Sequence, residues 1–367
     1  MTVAAAKFQI KPGLSVLLDL NRVGLALLVA VGHWTHFFQD AIPHIRGASA
    51  AVAGFFVLSG FTIRMLYPTR AGFGLGRYGV ERVSRIWSVA IPALILTVVL
   101  DAVSLRVGTE FYMAHWGENI GPSPEASISL NLFGLAQIWG TDFRPLSNHP
   151  FWSISYELGF YGVFGLVLAR RYGWALLVLA LLGPNIAYMM ALWLAGACTY
   201  ELLCSRRFSA KRQAQFAAGL VVLGLAGGVL FVVFGQQLVD GLFGVIGVHP
   251  RNVTGDFGAW ASLFLAVFAP LVWLATHKSL VPPPWLVRTA RWLGNLTFPI
   301  YLFHFPIFVL LGSIGFYDRS SVWQSIALFS AVCAVIALLT PLTDWLKVRL
   351  RFGMDRTRVT LKTGLMV

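Results

Sequence analysis

The sequence is poor in charge, and in acid above all. Only 12% of its 367 residues are charged, with 15 Asp and Glu against 28 Lys and Arg. Soluble domains draw about 25% of their residues from these four types, so an ordinary water-soluble fold is excluded. Cysteine is scarce as well. Cys198, Cys204 and Cys333 stand inside apolar stretches, form an odd number and have no C-x-x-C spacing, which supports neither a disulfide framework nor a thiolate site. No His, Cys, Asp or Glu cluster has metal-ligand spacing, and no metal is expected. Internal repeats are missing too, which counts against a transporter built from inverted repeats.

What is abundant is apolar. Hydrophobic residues make up 57% of the chain, and the mean hydropathy is +0.73. With about 20 residues needed per span, the expected architecture is all-α: one polytopic membrane bundle over 1–367, of about ten transmembrane helices. The apolar runs are 18–38, 48–67, 86–100, 148–170, two within 174–203, then 216–234, 257–276, 292–316 and 322–346. Gly183, Pro184 and Asn185 break the pair within 174–203 and leave its first member short. Stretch 127–140 is too short to span and reads as re-entrant or interfacial.

The net charge of +13 is spread in short clusters between these runs, the pattern of the positive-inside rule rather than of a nucleic-acid partner. Lys7 and Lys11, the cluster from Arg64 and Arg70 to Arg85, and the basic tail from about 347 (through Arg356, Arg358 and Lys362) place both termini in the cytoplasm and 101–126 outside. The tail is expected to meet anionic membrane lipids. The first run reads as an uncleaved helix. Asn252-Val-Thr254 is a formal glycosylation sequon in an expected outer loop, and three matching residues carry little weight.

Within the first run stand Arg22 and His33. Ionisable side chains at membrane depth cost at least a few kcal/mol and face an interior or a watery cavity. Eleven residues at about 100° each close roughly three turns, so both groups leave one helix face about 16 Å apart. His36 is the next neighbour on that face. Imidazole suits proton removal near neutral pH, which makes His33 a candidate general base; the alternative is a buried histidine bonded to a neighbouring helix. Arg22 either serves an anionic or carbonyl group of a substrate or pairs with Asp19 or Glu157.

Five segments, in order, resemble the membrane-bound acyltransferase 3 family. Arg22 and His33 resemble its arginine, ten residues, histidine pattern; AGFFVLSGFTI at 53–63 its second-helix motif; ERVSRIW at 81–87 its arginine-rich third-helix start. HPFWSISYE at 149–157 is similar to its W-S-L-S-x-E motif, and LGNLTFPIYLFHFPI at 293–307 to its L-G-x-x-S-Y-x-x-Y-L-x-H-x-P. Asn21 and Val23 depart from the D-x-L-R-G pattern of many members, and no appended esterase-like domain is expected. The resemblance implies a multi-pass enzyme of a bacterial inner membrane. It would transfer an acyl group, acetyl by expectation, from acyl-coenzyme A to a hydroxyl of a carbohydrate or glycolipid acceptor.

On that reading His33, Arg22 and Glu157 are the catalytic candidates, with Glu157 orienting a basic residue. Arg82 and Arg85, three apart on one helix face, are expected at the coenzyme A phosphates, and positive-inside anchoring explains them equally well. His36, His149, Trp152, Ser153, Tyr301 and His304 are the expected substrate-lining residues. The rival readings are a transporter or proton-coupled channel using the same intramembrane groups, and a binding or scaffold protein.

Overall fold

A helix in hydrocarbon satisfies its own backbone, so runs of this composition fold as helices and leave only side chains to specify the packing. The computed structural model describes residues 10–67, 73–120, 123–248, 253–278 and 281–364, without the side chains of 119, 120 and 356–364. Lys7, Arg70, Asn252 and the side chains of Arg356, Arg358 and Lys362 lie outside the described residues. The helices are α1 Pro12–Phe37, α2 Ala48–Leu66, α3 Leu75–Val107, α4 Thr109–Trp116, α5 Pro124–Leu132 and α6 Ser153–Leu168. They continue as α7 Tyr172–Leu182, α8 Pro184–Cys204, α9 Ala210–Val245, α10 Gly255–His277, α11 Pro284–Ile314 and α12 Val322–Gly364. Pro12, Pro124, Pro184 and Pro284 sit in first turns, where a missing N–H costs nothing.

Among the described residues nine stretches are long and apolar enough to cross a membrane: α1, α2, α3, α8 to α11, His149–Leu168 and Val322–Asp355. The expected tenth is α7, whose 11 residues cover about 16 Å, half of a bilayer's hydrocarbon core. Its end is turned by Gly183, at φ 94°, where an added Cβ would lie 2.7 Å from the backbone nitrogen of Trp139. The Asn185 amide then donates to the Gln137 carbonyl. The stretch expected to be re-entrant thus folds as α5 and a short 3-10 turn, Ile138–Gly140, that meets α7 end on.

Two elements outrun their apolar runs. The start of α3 is extended by an Arg77–Glu81 pair one turn apart, so Arg77, Arg82 and Arg85 lie on a helix rather than in a loop. The basic tail is the unbroken continuation of α12, and Arg351 on it bonds Glu81 at 3.1 Å.

The tightest crossing joins α2 to α8. A Cβ on Gly60 would lie 1.8 Å from the Trp193 carbonyl oxygen, and one on Gly196 the same distance from that of Val57. Small residues let the backbones touch. Lys11 donates to the Thr276 carbonyl, Arg64 pairs with Glu201, Tyr67 donates to Glu81, and Arg351 reaches Glu81. These contacts bring the starts of α1 and α3 and the ends of α2, α8, α10 and α12 to one end of the bundle.

Candidate active site

Two cavities lie one above the other beside α1, α2 and α11, the first walled also by α3 and α6, the second by the turn His149–Trp152 and the start of α10. The first, about 840 Å³ of unfilled space, is walled by apolar side chains such as Phe55, Phe56 and Ile86, among which stand Arg22, Arg82, Arg85 and a single carboxylate, Glu157. Arg22 donates to Asp19 at 3.1 Å and to the Thr62 hydroxyl at 3.0 Å, which realises the Asp19 pairing foreseen from sequence. Glu157 accepts from Tyr161 and Ser59. Arg82 lies 5.9 Å from the ring centres of both Tyr67 and Tyr161. Among the described residues neither Arg82 nor Arg85 has a carboxylate partner. With Asp19 already paired to Arg22, the three guanidiniums outnumber the two carboxylates at this level by one, and this net positive charge in an apolar wall suits an anion.

The second cavity, about 590 Å³, is lined by His33, His149, Trp152, Ser49, Thr254 and Phe257. His36, the expected neighbour of His33, is exposed and instead lies beside His44, with 4.3 Å between the centres of tilted rings. The partner of His33 is His304, from α11: His33 Nδ1 lies 2.9 Å from His304 Nε2, with the rings stacked. The other nitrogen of His304, Nδ1, lies 2.8 Å from the Ile300 carbonyl oxygen. A carbonyl only accepts, so His304 carries its proton on Nδ1 and offers its Nε2 lone pair to His33. His33 therefore donates from Nδ1 and keeps a bare lone pair on Nε2, the state a proton acceptor needs. Nitrogens already engaged in this way do not converge on one point, and among the described residues no group is arranged to hold a metal ion.

Val52 and Tyr301 belong to the walls of both cavities. The Tyr301 hydroxyl donates to the Pro150 carbonyl at 3.1 Å and sits 2.8 Å from Ser153 Oγ. Along α1 the arginine level comes before the histidine level, and along the antiparallel α2 the order reverses, so Tyr301 marks the boundary between two chambers stacked along the helix axes.

His149 reaches the second chamber from a turn held at several points. Leu146 has φ 57°, uncommon without glycine and maintained by its surroundings. The buried Asp101 of α3 accepts from Ser147 N at 2.9 Å, Ser147 Oγ at 2.7 Å and the Tyr112 hydroxyl at 2.8 Å. The Asn148 amide donates to Thr97 Oγ1 at 2.9 Å and to the Leu302 carbonyl at 3.1 Å. That carbonyl is free because Pro306, four residues on, has no N–H to give it.

The structure thus gathers Arg22, Arg82, Arg85, Glu157 and Ser153 in one chamber, and His33, His149 and Trp152 in the other, with His304 behind His33 and Tyr301 between. His36 is outside both. Asp101, Arg144, Thr254 and Phe257 were not singled out in the sequence. Asp101 opens the stretch that reads as an outer loop, where polar residues are ordinary, and Arg144 falls between the short stretch 127–140 and the run from 148; an Asp directly after an apolar run was the one available signal.

A polytopic bundle of membrane-length apolar helices that encloses a cationic chamber and a histidine chamber is the architecture of a multi-pass membrane protein. The family model described as an acyltransferase domain, that of the acyltransferase 3 family, matches residues 16–343, and the chain belongs to that family of membrane acyltransferases. No curated protein and no solved structure matches the chain.

Proposed function

We propose that the protein is an O-acyltransferase that takes an acyl group, by expectation acetyl, from acyl-coenzyme A and places it on a hydroxyl of a carbohydrate or glycolipid. The observation that carries this reading is the meeting of the two chambers at Tyr301. A phosphate-rich thioester suits the arginine chamber, and Arg82 and Arg85 have charge to spend on it. The second chamber offers the aromatic faces of Trp152 and Phe257 beside the hydroxyls of Ser49 and Thr254, a lining suited to a sugar. With the basic clusters in the cytoplasm of a bacterial cell, both termini and the arginine chamber face inward, and the acceptor approaches from the opposite side.

In the reaction His33 Nε2 removes the acceptor's proton while the hydroxyl oxygen attacks the thioester carbonyl. The carbon–sulfur bond then breaks, its electron pair leaves on sulfur, and the thiolate takes the proton from His33. His304 holds the His33 ring and its tautomer throughout.

Mass spectrometry of cell-surface glycans, with and without the protein, tests the acceptor, and release of free thiol from acetyl-coenzyme A tests the donor. Loss of an O-acyl group on deletion, with thiol release that requires acceptor, is the expected result. Passage of an unmodified solute with no thiol release would make the protein a carrier and end this reading.

A further inference from the structure

The two histidines of the second chamber are held by partners of opposite kind. His33 gives its Nδ1 proton to a lone pair on His304, whereas His149 faces Arg144: Arg144 Nη1 lies 2.6 Å from His149 Nδ1. A guanidinium has five donors and no acceptor, so His149 Nδ1 is the acceptor and its proton sits on Nε2. Arg144 is itself fixed. Its Nε and Nη2 lie 3.0 Å from Asp142 Oδ2, and the Asp142 side chain is buried. Asp142 also accepts from Gln137 at 2.8 Å, and the Arg144 carbonyl accepts from Ser127 at 2.6 Å. The His149 ring stands edge-on against His33 with 5.8 Å between centres, and both line the second cavity, where one reacting group can touch both.

We propose that Arg144 is a positioning residue that fixes His149 as a hydrogen-bond donor, so that the two histidines have complementary roles: His33 removes the acceptor's proton and His149 stabilises the oxyanion. As the hydroxyl oxygen bonds to the acyl carbon and its proton passes to His33 Nε2, the carbonyl π pair moves onto oxygen. The Nε2–H of His149 donates to that oxygen. When the carbon–sulfur bond breaks, the pair returns to the carbonyl and the thiolate is protonated by His33. A neutral imidazole donor held in place beforehand acts where charge develops. This assignment rests on the acyl-transfer reading above.

The test uses inverted membrane vesicles that contain the full-length protein and the cell's own acceptor, supplied with radiolabelled acetyl-coenzyme A. Removing one oxyanion donor typically costs about 10²- to 10³-fold in turnover, so His149→Met is expected in or near that range, with donor KM unchanged. His149→Gln, whose amide still donates, should lie well above His149→Met. Arg144→Met should lose turnover at constant donor KM, and Arg144→Lys, also a pure donor, should recover most of it. Arg144→Met at wild-type turnover, a loss confined to KM, or His149→Gln no better than His149→Met would each overturn the assignment. If Arg144→Met does not accumulate, the His149 pair decides alone. Wild-type vesicles that transfer no label would instead overturn the acyl-transfer reading itself.

Discussion

The hydroxyls of Tyr301 and Ser153 lie 2.8 Å apart at the level where the arginine chamber and the histidine chamber share a wall. Tyr301 stands in the wall common to both chambers, and its hydroxyl ties the ring to the turn leading into α6. Removal of the ring should leave space beside the reacting thioester for water in place of the acceptor's hydroxyl. Tyr301→Ala is expected to raise thiol release in the absence of acceptor while transfer to acceptor falls. Tyr301→Phe, which keeps the ring, should leak far less. A thiol assay on detergent-solubilised protein with acetyl-coenzyme A alone reads the difference, and equal leakage from both variants would deny Tyr301 this role.

His33→Ala should lower turnover by about 10²- to 10⁴-fold, the usual contribution of positioned proton transfer, without loss of insertion or abundance. Protonated imidazole has no lone pair, so wild-type activity should fall as the pH drops through the pKa of the base. That limb should vanish from the residual activity of His33→Ala. His304→Phe, which keeps an aromatic but offers no acceptor to His33 Nδ1, should reduce turnover with little effect on donor KM. A His33→Ala protein with full activity would remove the base from the mechanism.

Arg82 and Arg85 are predicted to act through binding. Hydrogen bonds to charged groups are worth about 1.5–3 kcal/mol, so each of Arg82→Ala and Arg85→Ala should raise donor KM by about tenfold or more. Contacts remote from the thioester are similar in ground and transition states, and turnover at saturation should change little. Donor-concentration series on the two variants check this, and an unchanged KM would return both residues to topology anchors.

Much of the site was legible because ionisable groups are conspicuous in an apolar sequence. Arg22, His33, Arg82, Arg85, Glu157 and His304 all stand in or beside membrane-length runs, and the structure places every one in or behind a chamber. The helical period of α1 correctly put Arg22 and His33 on one side. It also nominated His36 as the neighbour of His33, and there the partner was His304 instead. Periodicity reports what shares a helix, whereas His304 arrives from a segment 271 residues away. Arg144 was hidden for another reason: nothing in an arginine near a loop records that its side chain will point at a histidine. The shortness of the span before Gly183 was legible, but not that the turn Ile138–Gly140 meets its end.

The α2–α8 crossing gives a stability prediction with an internal control. Gly60→Ala puts a methyl into the Trp193 carbonyl, backbone that cannot rotate away, and should abolish accumulation of folded protein. Gly24→Ala meets nothing within 4 Å and should be tolerated. Membrane abundance and thermal unfolding followed by fluorescence-detected gel filtration distinguish them. A Gly60→Ala protein as stable as Gly24→Ala would mean the two helices cross at a greater distance.

Pro306 illustrates how far from the chemistry a catalytic geometry can be set. Its ring touches neither reactant, yet it withholds the one N–H that would occupy the Leu302 carbonyl, and the Asn148 amide docks there at 3.1 Å. Pro306→Ala restores a rival donor, and should leave the helix sound while turnover falls. Asn148→Ala should do the same, and because both remove one contact their effects should overlap, with a coupling of about 0.5–3 kcal/mol in a double-mutant cycle. Additive losses would separate the two. The imino acid thus behaves as a keyhole cut in the ladder of α11, and the segment bearing His149 is the key: two histidines separated by 155 positions in the chain keep a common alignment because one rung of a helix was left out.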